Sequence, residues 1–198
     1  MLIAFLDNLR LGFTNPRASA RTLLGRGATV RDAVHMAVLA LCIQWAAEKG
    51  VSWAFTGKAE ATGGFALTVH MGLQMLQLLL MSVGAHEIGA KFGGRATREQ
   101  IAVLSGWHLL LQAVLSPVQI LAVHAALSQE ATLLVLLLPL SVGLLVWIYA
   151  SMLAEAHGFK RLGPVLLAVF LGFMALGMVA QLVLSLLVGV EAPAGAAA

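Results

Sequence analysis

Charge is scarce in this sequence. Of its 198 residues, 11% are charged and 60% are hydrophobic, whereas a soluble domain carries about 25% charged residues. The composition therefore excludes a globular domain with a water-facing surface. The single cysteine, Cys42, excludes an intrachain disulfide. The sequence also lacks a G-x-S-x-G elbow, a phosphate-binding P-loop and a paired-cysteine motif, so we predict a noncatalytic protein without a cofactor.

Long hydrophobic stretches fill the space between the few charges. A membrane-spanning helix needs about 20 apolar residues to cross a hydrocarbon core of about 30 Å, and only helices and closed barrels satisfy their backbone groups there. The stretches are too long for barrel strands, so we predict an all-α integral membrane bundle of five transmembrane helices. The predicted spans are 31–50, 64–88, 100–127, 131–154 and 162–190, after an interfacial segment (1–30) and before a disordered tail (191–198).

The positive charges indicate how the bundle is oriented. With five spans, ten Lys and Arg residues fall on one side and two on the other; without the first span the division is seven to five. The ten are Arg10, Arg17, Arg21, Arg26, Arg31, Lys91, Arg95, Arg98, Lys160 and Arg161. Because cationic loops stay in the cytoplasm, we predict a cytoplasmic amino terminus and a carboxyl terminus on the other side of the membrane. The net charge of +3 then reflects this bias, and we expect no nucleic-acid partner.

The amino-terminal segment is predicted to form two short amphipathic helices at the membrane interface. Apolar residues recur at helical spacing over residues 1–13. Asn15 followed by Pro16 is typical of an N-cap and a first helical position, which predicts a second helix over residues 16–24. We expect four arginines of this segment to bind anionic lipid headgroups. They are Arg17, Arg21, Arg26 and Arg31.

Polar residues lie inside the second and third spans. They are His70, Gln74 and Gln77 on the second span, and Ser105, His108, Gln112, Ser116 and Gln119 on the third. At 100° per residue, each set falls within about 80° of one helix face, so we expect the two faces to meet. Such residues usually form hydrogen bonds between helices. The histidines and glutamines among them also provide the alternative of a path for protons, ions or a small solute.

Four residues near the predicted cytoplasmic ends of the second and fourth spans are candidate metal ligands. They are His86, Glu87, Glu155 and His157. Nitrogen and carboxylate ligands suit a zinc-like ion. His86 and Glu87 are adjacent, however, and so point about 100° apart on a helix, and residue 90 is alanine, which rules out an H-E-x-x-H motif. We therefore predict no metal site.

Two further features concern helix packing. Pro117, in the middle of the third span, is predicted to kink that helix. Small residues four apart in the last span permit close contact with another helix, within the monomer or in a dimer. These pairs are Ala168 with Gly172 and Ser185 with Gly189. We therefore expect the partner to be another membrane protein or a second copy of the chain.

Several short motifs together resemble bacterial members of the Yip1 family. They are Asn15-Pro16-Arg17-Ala18 and Leu23-Leu24 before the first span, Leu115-Ser116-Pro117 in the third, and Ala154-Glu155-Ala156-His157-Gly158-Phe159 after the fourth. The five spans and the basic loop between spans two and three are also similar. The resemblance covers nearly the whole chain and supplies no catalytic residues. It implies a bacterial inner-membrane protein with the orientation given by the charge count, so that the carboxyl terminus would be periplasmic.

These observations predict a noncatalytic multi-pass membrane protein of Yip1-like type. It would act as an accessory or scaffold protein that organises the membrane or binds a partner. The alternative is a small transporter or channel that uses the polar faces of spans two and three. Eukaryotic members of the resembling family associate with small GTPases and carry an Asp-Leu-x-Gly-Pro motif near the first span. This chain has Val30-Arg31-Asp32-Ala33-Val34 there, so we do not extend GTPase binding to it.

Overall fold

The computed structural model describes residues 2–56, 64–128 and 132–188. Within these ranges it contains eight α-helices and no β-strand. The helices are α1 (Leu2–Thr14), α2 (Pro16–Gly25), α3 (Val30–Thr56), α4 (Gly64–Lys91), α5 (Arg98–Ser128), α6 (Thr132–Val135), α7 (Leu137–His157) and α8 (Leu162–Val188). The predicted disordered tail (191–198) and Gly189 lie outside the described residues.

Five of these helices, α3, α4, α5, α7 and α8, are long and apolar enough to cross a membrane. The predicted all-α bundle of five apolar helices is therefore confirmed. The first of them is longer than predicted, since α3 has 27 residues and does not end at the charged pair Glu48 and Lys49. At 1.5 Å per residue it is about 40 Å long, which exceeds the hydrocarbon thickness of about 30 Å.

Consecutive spans run in opposite directions, so one end of the bundle collects the starts of α3, α5 and α8 and the ends of α4 and α7. We call this the basic end, because the chain carries most of its lysines and arginines at these helix termini and in the loops between them. Two ion pairs tie elements together there. Arg98 Nη2 lies 2.7 Å from Glu87 Oε1, and Arg21 Nε lies 3.1 Å from Glu155 Oε1.

The helix α5 forms the centre of the bundle. It contacts α1 to α4, α6 and α7, and every residue from 101 to 111 is buried. Its closest neighbour is α3, which runs parallel to it and presents Ala33, Ala37 and Ala40, all fully buried. A Cβ placed on Gly106 of α5 would lie 2.6 Å from the carbonyl oxygen of Ala33. Small residues thus let the two backbones touch, which is the usual basis of tight helix packing in membranes.

Two prolines affect the helices differently. Pro117 lies inside α5, which continues on both sides of it. Proline has no N–H, so the carbonyl of Ala113 four residues earlier loses its helical partner, and the hydroxyl of Ser116 donates to that carbonyl at 2.7 Å. Pro139 removes the helical partner of the Val135 carbonyl in the same way, but the residue before it is Leu138, whose side chain cannot donate a hydrogen bond. The helix α6 ends at Val135.

The two amino-terminal helices form where predicted. Asn15 caps α2, its Oδ1 accepting a hydrogen bond from the Ala18 N–H at 3.2 Å. Both helices pack on the bundle as well, which the sequence did not indicate. The indole Nε1 of Trp107 in α5 donates to Ser19 Oγ at 3.1 Å. The ring of Phe5 meets Trp107 edge-on, with 5.7 Å between the ring centroids.

Candidate functional site

Polar side chains from α3, α4 and α5 surround one pocket inside the bundle, which we call the glutamine pocket. Its volume is about 350 Å³, and its polar lining residues are Gln44, His70, Gln74, Gln77 and Gln112. Gln77 lies fourteen residues before the end of α4 and Gln112 fourteen after the start of α5. The pocket is therefore about 21 Å from the basic end, at 1.5 Å per residue, which is deep within a membrane-spanning bundle.

Hydrogen bonds across helices engage three of these glutamines. Gln77 Nε2 donates to Gln112 Oε1 at 3.5 Å, so the polar faces of α4 and α5 meet as the sequence predicts. Gln74 is buried, and its Nε2 donates to the carbonyl oxygen of Ala37 in α3, also at 3.5 Å. Both contacts are at the long limit for hydrogen bonds. The glutamines thus join three helices while leaving acceptor and donor capacity facing the pocket.

His108 lies one turn from Gln112 but outside the glutamine pocket. Its side chain is fully buried, and neither ring nitrogen has a hydrogen-bond partner among the described residues. Its ring faces Tyr149 of α7 and Phe173 of α8, at centroid distances of 4.7 Å and 5.6 Å. The Tyr149 hydroxyl is engaged elsewhere, at 2.7 Å from Ser105 Oγ. His108 therefore belongs to an aromatic cluster that holds α5, α7 and α8 together.

Gln119, the last of the predicted path residues, also lies apart from the pocket. Its Nε2 donates to Ser141 Oγ of α7 at 3.3 Å. Four of the six predicted path residues therefore line one pocket, while His108 and Gln119 contact α7 instead. The reason is that α5 presents its polar face to α4 at one height and to α7 at another.

The four predicted headgroup-binding arginines lie along the segment from α2 to the start of α3. Arg17 is partly buried, and Arg21, Arg26 and Arg31 are exposed. Arg21 also pairs with Glu155 of α7, a contact that fixes α2 against the bundle. An exposed pair of this kind contributes little stability, at most about 1 kcal/mol, so its effect is mainly positional.

The candidate metal ligands do not gather into one site in the described part of the chain. Both carboxylates face arginines, Glu87 with Arg98 and Glu155 with Arg21. The described residues contain no group of three His, Cys, Asp or Glu side chains that could hold a metal ion. His86 and His157 are instead involved in packing at the basic end.

His157, the last residue of α7, sits between two glycines. A Cβ on Gly89 would lie 2.2 Å from its Nε2, and a Cβ on Gly94 would lie 2.2 Å from its Nδ1. The imidazole is buried, and no hydrogen-bond partner of either nitrogen is seen among the described residues. The Arg95 N–H donates to the His157 carbonyl at 3.3 Å. Only glycine at both positions leaves room for this ring, which joins the end of α7 to the loop after α4.

A large apolar groove runs between α4 and α8, with α7 as its floor. We call it the α4–α8 groove. Its volume is about 870 Å³, and its lining includes Met81, Gly84, Leu153, Ala168, Gly172 and Phe173. His157, Lys160 and Arg161 line it at the basic end. Ala168 and Gly172, the pair predicted to allow close helix contact, therefore widen a groove.

Sequence reasoning missed two of these features. The alanines at 33, 37 and 40 are spaced for one helix face and could have indicated close packing of α3. The glycines around His157 give no comparable signal, because their partner lies more than 60 residues away in the sequence.

Comparisons of the chain with models of known families, with curated proteins and with solved structures find no match. The resemblance to the Yip1 family therefore stays a prediction.

Proposed function

We propose that this chain is a noncatalytic accessory protein of Yip1-like type that binds another membrane protein or organises lipid in the bacterial inner membrane. In this proposal the basic end faces the cytoplasm, in accordance with the distribution of positive charge. The proposal extends the plain finding of five apolar, membrane-length helices.

The observation that carries the proposal is the exposure of α8. Only 6% of its most apolar segment is buried inside the chain, compared with 56% for α7. Its outer face presents large apolar side chains on successive turns, namely Leu167, Leu171, Met174, Met178 and Leu182. A whole helix face is thus available for another transmembrane helix.

The polar groups inside the bundle support the same reading. The glutamines join helices to one another, and the two carboxylates at the basic end pair with arginines. Side chains used in this way stabilise a bundle, as hydrogen bonds between membrane helices usually do. The outer surface is then the part of the molecule left for recognition.

The experiment is purification in mild detergent followed by native mass spectrometry. We expect a complex of fixed composition heavier than one chain. We expect Met174→Trp with Met178→Trp to dissociate it, because both side chains are exposed on α8 and lie outside the lining of the α4–α8 groove. Leu140→Trp is the control, since Leu140 is equally exposed but lies on α7. A wild-type protein that is always a lone chain would overturn the proposal.

The arginine segment has a separate test in reconstituted bilayers with spin-labelled lipids. Replacing Arg17, Arg21, Arg26 and Arg31 by Gln should lower the preference for anionic over zwitterionic lipid around the protein, because each basic residue near the surface attracts anionic headgroups. An unchanged preference would remove headgroup binding from the function.

The glutamine pocket favours a second candidate function, a small transporter or channel. It gathers five polar side chains along membrane-spanning helices, where polar residues commonly mark a solute or ion path. In proteoliposomes this candidate predicts a flux that Gln77→Leu with Gln112→Leu abolishes. The accessory proposal predicts no flux in the wild type.

A further inference from the structure

The α4–α8 groove has the dimensions of a site for a single lipid. On α8 its lining extends from Pro164 to Val179 and on α4 from Leu80 to Gly89, with Phe92 in the loop after α4. At 1.5 Å per residue, the α8 wall is about 22 Å long. One leaflet is half of a hydrocarbon core of about 30 Å, so an acyl chain that begins at the basic end fits within the groove.

The walls leave open space for an apolar chain. A Cβ added to Gly84 on α4 or to Gly172 on α8 would meet nothing within 4 Å. Small ligands usually bind in cavities of about 300–1,000 Å³ that are apolar with a few polar groups. The groove fits this description, because its lining is mostly apolar and its charged side chains, Lys160 and Arg161, lie at one end.

That end carries uncompensated positive charge. Lys160 and Arg161 line the groove, and in the described part of the chain neither has a carboxylate partner. The nearby carboxylates Glu87 and Glu155 pair with other arginines. The buried side chain of His157 lines the same end.

We propose that the α4–α8 groove binds one anionic phospholipid, with its phosphate at Lys160 and Arg161 and its acyl chain between α4 and α8. Basic pockets between transmembrane helices commonly bind anionic headgroups in this way. The inference depends on membrane insertion and is independent of the accessory role.

The charge at the basic end of the groove favours an anionic lipid over an apolar helix of another protein. Lys160 and Arg161 lie at one end of a mostly apolar lining. An acyl chain is narrower than a helix and can follow the walls, and a phosphate provides the negative charge that the cationic end lacks.

The first test measures lipid retained by the purified chain after exposure to vesicles of phosphatidylglycerol or phosphatidylcholine. Native mass spectrometry should show one bound phosphatidylglycerol per chain. Lys160→Gln with Arg161→Gln should weaken it roughly ten- to thirty-fold, as expected when two basic contacts are lost. The control is Lys91→Gln with Arg95→Gln, which removes the same charge from the same end at positions outside the groove lining.

The second test fills the groove. Gly84→Leu or Gly172→Leu should each abolish retention of the lipid, because the new side chain occupies the space of the acyl chain. Gly143→Leu is the matched control, since Gly143 is exposed on α7 and also has nothing within 4 Å. Unfolding temperatures identify any variant that fails to fold. If one of the two filling variants does not fold, the other serves as the test.

Three results of these two tests would overturn the inference. They are equal retention of the two lipids by the wild type, full retention by the cation variant, and full retention by a folded filling variant. Because no second protein is present, these results are separate from the accessory proposal. A partner that competes with phosphatidylglycerol in the wild type would instead show that a protein helix occupies the groove, and would also overturn the inference.

Discussion

The helices α3 and α8 are both 27 residues long, yet α3 packs closely against α5 whereas α8 is largely exposed. α3 is the least hydrophobic of the five spans, with a mean hydropathy of 1.2, and three of its alanines are fully buried. α8 is the most hydrophobic, at 2.3, and Val169 is the one buried residue among its described side chains. In these two helices, close contact with a neighbour therefore follows the small residues and not the hydropathy.

The largest expected change in stability comes from adding a methyl group where α3 and α5 touch. Gly106→Ala places a methyl group against the backbone of Ala33, and backbone cannot move aside as a side chain can. We expect a loss of about 1–3 kcal/mol in the free energy of unfolding, as for other overpacked sites. Chemical unfolding in detergent, followed by circular dichroism, measures it.

Gly177→Ala in α8 is the control for that change. A Cβ there meets nothing within 4 Å, and alanine favours a helix over glycine by up to about 1 kcal/mol. The stability should therefore stay the same or rise slightly. A loss as large as that of Gly106→Ala would mean that α8 packs as tightly as α3.

The contact between Gly89 and the His157 ring provides a second test, because a methyl group added there meets a side chain and not the backbone. Gly89→Ala brings a methyl group onto the His157 ring, and we expect a loss of about 1–2 kcal/mol, toward the lower part of the overpacking range. Combining it with His157→Ala should recover part of the loss, because the clash disappears. A coupling free energy of about 0.5–3 kcal/mol is expected for residues in contact.

The matched position for this cycle is Gly84, on the same helix but facing open space. Gly84→Ala should couple to His157→Ala by less than about 0.5 kcal/mol, the limit for independent sites. Equal coupling at both positions would show that His157 does not sit against Gly89.

The smallest effect concerns the proline in α5. Ser116→Ala removes the hydroxyl that bonds the carbonyl of Ala113, and we expect a loss of about 0.5–1.5 kcal/mol. Ser82→Ala is the control, because the Ser82 hydroxyl bonds the carbonyl of Leu78 at 2.6 Å, and that carbonyl can already accept the helical N–H of residue 82. Equal losses in thermal unfolding would show that Pro117 leaves no unpaired carbonyl.

The helices and their caps were predictable because their signals are local. Hydropathy located the five spans, and Asn15 followed by Pro16 gave the start of α2. The helix α3 continues past residue 50, the predicted end of the first span, because charged residues such as Glu48 interrupt hydropathy without ending a helix. A tolerated charge near a helix end looks the same in the sequence as a loop.

The candidate sites were only partly predictable, because they depend on how each helix is rotated and at what height it meets its neighbours. A helix wheel correctly turned Gln77 toward Gln112. It could not show that His108, on the same face of α5, would meet Tyr149 and Phe173 instead. The α4–α8 groove had no sequence signal at all, since it is a gap between two helices that are far apart in the chain.

The docking of the amino-terminal helices has a consequence for biosynthesis. Ser19 meets Trp107, which the ribosome adds 88 residues later, and Arg21 meets Glu155, which comes later still. Since chains are made from the amino terminus at about 5–20 residues per second, the first helices wait several seconds at the membrane surface before their partners exist. The two amino-terminal helices are thus made well before the residues on which they pack. Their amphipathic character lets them bind the membrane surface during that interval.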